Sequence, residues 1–306
     1  MENIDFSKFE YPFRRSTHSD SARQHMQEFT RQFIEGNQLF ENVKAYVDVS
    51  VEFMSVCTPS QLTHEELEIT CLFMLVYLIL DDFRDHNTEC LGDLGKEFHA
   101  VLLNRNHSPD RYHNFCTCLG QFIQRIEKQS ERHCISATPF FERLSRTIDA
   151  FLWEDKTIRN GHPISEQTYM KYRIDLVGNM TSLQTNRIAA GLDHSRFTPA
   201  EQKQLFNLEV LSSKLVYLSN DLFSLPKDMA TKHPMNLVSI ISAERNWSQD
   251  KSLTHVQSLH DRTVDEFAEV KTSLSYATGE LDKCIEAIEL DVTGNITAMY
   301  ALKKRY

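Results

Sequence analysis

Glycine and proline are scarce in this chain of 306 residues, which contains only 9 Gly and 8 Pro. That is roughly half of the share that a globular protein usually has. Both residues interrupt helices and form turns, so their scarcity predicts long helices joined by few turns. Alternation of apolar and polar residues at period two, which is typical of strands, is also scarce.

Paired cysteines and long apolar runs are also missing. The 7 cysteines are an odd number without paired zinc spacing, because Cys116 and Cys118 stand too close together for the usual pair. They are therefore interpreted as reduced thiols of a cytoplasmic protein. The N-terminal residues lack the apolar run of a signal peptide. The most apolar stretch, Leu72 to Leu80, is far too short to span a membrane.

Basic residues are outnumbered, with 33 Lys and Arg against 43 Asp and Glu, which gives a formal net charge of -10. This excess of acid argues against nucleic acid or an anionic membrane surface as a partner, because both attract a basic face. If the substrate is an anion, metal ions and a local basic cluster must reverse the sign of the charge at its site.

Helical periodicity dominates from Ser21 onward, after an irregular N-terminal segment at residues 1–19. Thr198 and Glu201 have the spacing of a capping box, which starts a helix. We find neither an internal repeat nor a low-complexity linker, so the sequence predicts one all-α domain over residues 1–306. Apolar residues recur at three and four positions near 21–35, 65–82, 94–104, 110–128, 138–158, 165–191, 199–225, 235–243 and 253–290.

An acidic cluster, DDFRD, follows the apolar run directly and contains Asp81, Asp82 and Asp85. A helix that is apolar on all sides is buried on all sides, and positions four apart share a face. Asp81 and Asp85 are therefore expected to project together from the end of a core helix. Carboxylate oxygens on one face suit Mg²⁺, which takes few protein ligands. The alternative is a solvated helix end, with Arg84 and His86 as local partners.

A second polar cluster lies in NDLFSLPKD, where Asn220, Ser224 and Asp228 follow one another at four-residue intervals. On a helix this spacing places an amide oxygen, a hydroxyl and a carboxylate on one stripe, a set that suits one hard cation. Pro226 stands inside the stripe, and proline kinks or ends helices. The alternative is therefore a helix end and turn, in which Asp228 loses this spacing.

Together these segments resemble class I terpene synthases, in particular the single-domain microbial sesquiterpene cyclases. DDFRD matches the aspartate-rich motif of that family, and NDLFSLPKD matches its metal triad, although Asp228 is one methylene shorter than the commoner Glu. The last two residues, Arg305 and Tyr306, resemble the family's C-terminal Arg-Tyr pair. The segment HPISEQTYMKYRIDLVG resembles the one with the family's diphosphate-sensing arginine and helix-break glycine, and it contains Pro163, Tyr169, Arg173 and Gly178.

The resemblance implies a helical bundle around a central apolar cavity, in which a prenyl diphosphate, by analogy farnesyl diphosphate, is ionised and cyclised to a sesquiterpene. It implies three Mg²⁺ ions bound with the diphosphate. The implied metal ligands are Asp81, supported by Asp82 and Asp85, and across the mouth Asn220, Ser224 and Asp228. The implied substrate-binding residues are Arg173, Lys227, Arg305 and Tyr306 for the diphosphate, and Tyr77, Phe73 and Gly178 in the cavity. Core packing is the alternative for Phe73 and Tyr77.

Three other functions compete with this interpretation. A chain-elongating isoprenyl diphosphate synthase needs a second DDxxD motif, but Asn220 and Ser224 stand in its place. A metal phosphohydrolase built around His260 and Asp261, with His233 upstream, lacks its remaining ligands. A helical interaction scaffold without catalysis predicts no stabilisation by Mg²⁺ or by farnesyl diphosphate. The oligomeric state is left open, with a homodimer as one option.

Overall fold

The computed structural model describes residues 14–34, 43–59, 61–86, 91–109, 112–274 and 279–301, with the backbone alone for residues 32–34, 43, 82, 84–86 and 301. These ranges contain no strand, so the expected all-α class is confirmed. None of their helices is both long and apolar enough to cross a membrane. The helices are α1 (Ser19–Ile34), α2 (Val43–Cys57), α3 (His64–His86), α4 (Leu91–Leu103), α5 (His113–His133), α6 (Thr138–Asn160), α7 (Glu166–Leu176), α8 (Asn179–Ala190), α9 (Pro199–Thr231), α10 (Leu237–Arg245), α11 (Gln249–Leu274) and α12 (Gly279–Ala301).

Three apolar clusters hold the bundle together. The largest is formed mainly by α1 to α6. A second cluster joins α7, the C-terminal half of α9, α10 and α11. The third packs the N-terminal half of α9 against α11 and α12. The second cluster surrounds the part of α9 that carries the predicted metal triad, so that stripe is built on a packed scaffold.

Helix α8 lies in the middle of the bundle, where it packs against α3, α5, α6, α7, α9 and α12. Its sequence, NMTSLQTNRIAA, is largely polar, yet almost all of its residues are buried. Buried polar groups require partners, and neighbouring helices supply them. Thr181 lies 2.9 Å from the hydroxyl of Thr147 on α6, and the Asn179 amide donates to Ser212 on α9 over 3.0 Å. The bundle is therefore joined at its centre by polar as well as apolar contacts.

Some helix boundaries differ from the sequence-based prediction. Helix α1 begins at Ser19, just inside the segment expected to be irregular, of which residues 1–13 lie outside the described ranges. Helix α2 was not predicted, because its five valines have low helix propensity and its pattern is apolar on most sides. Packing against α3 and α12 stabilises it in spite of that propensity.

Two predicted segments contain an interruption, and one helix runs further than predicted. The segment 165–191 is broken between α7 and α8 at Gly178, whose φ of 73° favours glycine. The segment 253–290 consists of α11 and α12. Helix α9 continues past Pro226 to Thr231 rather than ending near residue 225.

Candidate active site

The predicted acidic cluster lies at the end of α3. Asp81 is partly exposed in the last turns of this helix. The backbone of Asp82 and Asp85 also belongs to α3, while their side chains lie outside the described part of the structure. Since α3 reaches His86, Asp81 and Asp85 keep the four-residue helical spacing that places them on one face.

Tyr77, one turn before Asp81, connects α3 to the break between α7 and α8. Its hydroxyl donates to the carbonyl oxygen of Leu176 over 3.0 Å. A Cβ atom at Gly178 would lie 2.6 Å from the Tyr77 ring, so this ring rests directly on the glycine backbone. Phe73 is buried, and its ring centroid lies 6.2 Å from that of Tyr77. The helix of Asp81 is thereby packed against the end of the helix that carries Arg173.

The second polar cluster is formed on α9 with its predicted spacing. The Ser224 hydroxyl donates to Asp228 Oδ2 over 2.5 Å, so the helix keeps these two residues on one stripe on either side of Pro226. Asn220 stands one turn before Ser224, and its side-chain oxygen accepts a hydrogen bond from Arg173 over 2.8 Å. The structure thus brings together Arg173, Asn220, Ser224 and Asp228.

Arg173 on α7 is held against α9 by a buried carboxylate. Its guanidinium donates to Asp221 Oδ1 through Nε over 3.1 Å and through Nη2 over 2.8 Å. The other carboxylate oxygen of Asp221 accepts from the Tyr169 hydroxyl over 2.8 Å and from the backbone N–H of Leu237 over 3.1 Å. Every part of Asp221 is therefore engaged, and it fixes α7, α9 and α10 relative to one another.

Electrostatics keep the Arg173 guanidinium charged in this position, where its side chain is 12% exposed. Burial alone would lower the pKa of Arg173, but the electrostatic influence of Tyr169 and Asp221 outweighs burial and raises it. Burial raises the pKa of Asp221, and Arg173 opposes that shift. A permanent cation therefore stands beside the oxygen ligands of α9, as the binding of an anionic group requires.

The other predicted site residues are exposed to solvent or lie outside the described ranges. Lys227 is exposed on α9. Arg305 and Tyr306 lie outside the part of the chain that the structure describes.

Two residues of the site were missed by the sequence analysis. Asp221 is buried in the network described above, and Asn236 donates to both Asp221 and Asp228. A signal for Asp221 was available, because an ionised residue on the apolar surface of α9 requires a partner. Asn236 gave only the signal of a residue that starts a helix.

The side chains of the α9 stripe offer oxygen donors that suit a divalent metal. Within the described ranges, no three His, Cys, Asp or Glu residues form a cluster that could hold a metal ion. The α9 stripe is of another kind, since it combines one carboxylate with an amide oxygen and a hydroxyl. These are hard oxygen donors, and Ser224 and Asp228 already converge to 2.5 Å. Such a set fits Mg²⁺, which uses few protein ligands and keeps other oxygens from water or phosphate.

Comparison with known proteins identifies the family. The sequence model of terpene synthase family 2, C-terminal metal binding, matches residues 72–266. The chain belongs to this family. The match begins in α3 before the acidic cluster, and it includes that cluster, Arg173 and the whole α9 stripe.

The individual proteins that resemble this chain share little sequence identity with it. A germacrene A synthase from Nostoc punctiforme is 28% identical over 97 residues, which cover 30% of this chain and 30% of that enzyme. Among solved structures, the linalool/nerolidol synthase from Streptomyces clavuligerus in complex with 2-fluorogeranyl diphosphate has a TM-score of 0.76 at 14% identity. That match covers 97% of this chain and 99% of the synthase. The structure of an α-eudesmol synthase has a TM-score of 0.76 at 16% identity. This match covers 96% of this chain and 98% of that synthase. The terpene synthase fold therefore extends over nearly the whole chain.

Proposed function

We propose that this protein is a Mg²⁺-dependent terpene synthase that ionises farnesyl diphosphate, cyclises its carbon chain to a sesquiterpene and releases diphosphate. The observation that carries the proposal is the cluster of Arg173, Asn220, Ser224 and Asp228 in a chain of this family. The sesquiterpene class is supported by the germacrene A synthase and α-eudesmol synthase among its relatives. The bundle is proposed to form one domain around a central apolar cavity.

The proposed metal ligands lie on two helices. Asn220, Ser224 and Asp228 supply oxygens from α9, and Asp81, supported by Asp82 and Asp85, supplies them from α3. The proposal includes three Mg²⁺ ions with the diphosphate. Bound Mg²⁺ acts as a Lewis acid that stabilises the negative charge developing on the diphosphate as its carbon–oxygen bond breaks.

The basic residues of the chain are proposed to bind the diphosphate itself. Arg173 is a preorganised cation, because Asp221 holds its guanidinium beside Asn220. Lys227, Arg305 and Tyr306 are the further proposed contacts, and the C-terminal pair is placed there by the family resemblance alone. These donors stabilise the leaving group, so the protein needs no nucleophile of its own.

The carbon chain of the substrate requires an apolar, partly aromatic surface. Tyr77 and Phe73 on α3 are the proposed aromatic residues, and Gly178 sets how closely the α7–α8 break approaches Tyr77. A desolvated carbocation gains roughly 1–2 kcal/mol from each aromatic face that it meets. Exclusion of water protects the same cation from being quenched.

The first experiment is incubation with geranyl, farnesyl and geranylgeranyl diphosphate, each with Mg²⁺ and with EDTA, followed by gas chromatography–mass spectrometry. We expect a Mg²⁺-dependent sesquiterpene from farnesyl diphosphate alone. Asn220→Ala and Asp81→Ala should lower kcat/KM on the order of 100-fold or more, since each removes a ligand of the charge-stabilising metals. Asp250→Asn, an exposed acid at the start of α11, is the matched control and should keep full activity.

Other products would redirect the proposal. Longer prenyl diphosphates formed with isopentenyl diphosphate would indicate an elongating synthase instead. Wild-type activity in Asn220→Ala or Asp81→Ala would contradict the metal assignment. A homodimer and a cytoplasmic location stay predictions, and light scattering on the purified protein decides the first of them.

A further inference from the structure

Asn236 occupies an unusual position next to the α9 stripe. It is fully buried and stands immediately before α10, where its side-chain oxygen accepts a hydrogen bond from the N–H of Val238 over 3.0 Å. Its side-chain nitrogen faces the other way, toward α9. There it donates to the carbonyl oxygen of Asp221 over 2.7 Å and to Asp228 Oδ2 over 2.9 Å, with Ser224 Oγ at 3.4 Å. One amide therefore caps α10 and also contacts three residues of α9.

The contacts of Asn236 lie on both sides of Pro226. Proline lacks the N–H that continues a helical hydrogen-bond ladder, and its ring crowds the preceding turn. The helix by itself therefore fixes the position of Asp228 relative to Ser224 only weakly. Asn236 holds the backbone of Asp221 before the proline and the carboxylate of Asp228 after it.

Asp228 itself is only partly buried, and a short carboxylate on a helix surface rotates readily unless it is held. Two donors, the Ser224 hydroxyl and the Asn236 amide, meet at its Oδ2 atom. The Asn236 donor comes from outside α9, so it fixes the carboxylate against a separate element. Orientation of a ligand by such a partner commonly changes metal affinity by about 10–100-fold.

We propose that Asn236 is the positioning residue of the α9 metal site: it fixes the Asp228 carboxylate against Ser224 across Pro226. This inference rests on the proposed function, because it assumes that Asp228 is a metal ligand. Asn236 does not contact substrate or metal in this role. It acts through Asp228 by means of its N–H donors.

Two substitutions separate this role from the capping of α10. Ser and Asp are as good as Asn at the start of a helix, so Asn236→Ser and Asn236→Asp keep the cap. Ser is too short to reach Asp228, and Asp has the shape of Asn but no N–H to donate. Asn236→Asp also adds a negative charge, which by itself would strengthen the binding of a cation.

The experiment is a Mg²⁺ titration in the presence of inorganic diphosphate, with the rise in Tm and isothermal calorimetry as readouts. We expect Asn236→Ser and Asn236→Asp to need about tenfold more Mg²⁺ than wild type for half of the rise. Both variants should have a lower Tm without metal, because each loses the buried hydrogen bonds to Asp221 and Asp228, so the readout is the Mg²⁺ midpoint and not the Tm itself. Thr198→Ala, which removes the capping box of α9 far from the stripe, should lower the Tm and leave the Mg²⁺ midpoint unchanged.

The possible results distinguish this inference from the proposed function. A wild-type Mg²⁺ midpoint in both variants would overturn the positioning role while leaving the proposed function intact. Loss of the native fold in both would make Asn236 a structural residue and would also overturn it. If wild type itself does not respond to Mg²⁺ with diphosphate, the proposed function fails first. Should Asn236→Asp alone bind Mg²⁺ more tightly than wild type, charge rather than orientation controls the site.

Discussion

Asp221 and Asp291 are both buried carboxylates, but their surroundings differ. Asp221 meets an arginine, a tyrosine and a backbone N–H. Asp291 on α12 receives hydrogen bonds from the Ser182 hydroxyl over 2.9 Å and the Asn186 amide over 3.3 Å, and its Oδ2 atom has no hydrogen-bond partner within the described structure. Burial raises the pKa of Asp291 to about 8, although Ser182 opposes the shift. Asp291 is therefore held as a neutral acid near neutral pH.

This neutral acid makes the stability of the protein depend on pH. Between the pKa of the unfolded state, near 4, and the folded pKa of about 8, the folded state holds the extra proton. Stability is thus highest below this range and falls as pH rises through it. The Asp291→Asn side chain cannot lose a proton. The free energy of unfolding of this variant, minus that of wild type, should therefore increase by about 1 kcal/mol per pH unit between pH 5 and 7.

Urea unfolding at pH 5, 6, 7 and 8 measures this difference in the free energy of unfolding between Asp291→Asn and wild type. The neighbouring Cys57 thiol stays neutral over this range, because burial and Asp291 raise its pKa. Asp250→Asn, at the exposed start of α11, is the control and should follow wild type at every pH. Parallel curves for Asp291→Asn and wild type would show that the Asp291 carboxyl is ionised in the fold.

At the residue level, the sequence predicted what helical spacing determines. Asn220, Ser224 and Asp228 were predicted because residues four apart share a helix face, and the structure keeps that spacing. Asn236 could not be predicted, since it reaches α9 only after the chain reverses between Thr231 and α10. The sequence contains no periodicity that relates positions across such a reversal.

At the level of elements, Gly294 sets the distance between α12 and α2. A Cβ atom there would lie 2.4 Å from the carbonyl oxygen of Val56 and 2.6 Å from Cys57 Cα. Both are backbone atoms, so no side-chain rotation relieves the contact and the helices must move apart. We expect Gly294→Ala to lower the free energy of unfolding by about 2 kcal/mol or more. Gly279→Ala, in the same helix and with no described atom within 4 Å of the added Cβ, should stay within about 0.5 kcal/mol of wild type.

Chemical unfolding of the two alanine variants side by side tests this contact. Equal stabilities would mean that α12 and α2 separate without cost.

The dependence of α2 on such contacts also explains why this helix was not predicted from the sequence. Its helical state depends on α3 and α12, which lie far away in the chain, rather than on the propensity of its valines. Long amphipathic helices such as α5 and α9 needed no such help and were predicted.

At the level of the whole molecule, the net charge of -10 opposes the binding of an anion. Diphosphate should therefore bind only together with Mg²⁺, and each of them alone should leave the Tm nearly unchanged. At a concentration of 100 times Kd, binding stabilises the fold by about 2.7 kcal/mol, which amounts to roughly 5 °C for a chain of this size. Differential scanning fluorimetry with Mg²⁺, diphosphate and both tests this, and Asp228→Asn should lose the response. A full rise with diphosphate alone would mean that basic residues suffice.

The fold as a whole followed from composition and periodicity, whereas the meeting of α7, α9 and α10 at Asp221 did not. Few glycines and prolines and a helical period are enough to predict an all-α bundle. Which helices touch is decided by side chains that lie apart in the sequence. Asp221 on α9 is one of these, with partners on α7 and α10.

The double contact of Asn236 also bears on how this site is inherited and recombined. The donor that orients Asp228 belongs to the next helix, so the heritable unit extends from Asn220 through Asn236 rather than ending at Asp228. A chimera with its crossover between Asp228 and Asn236 would combine a metal triad from one parent with an orienting amide from the other. A crossover after α10, at residues 246–248, keeps them together.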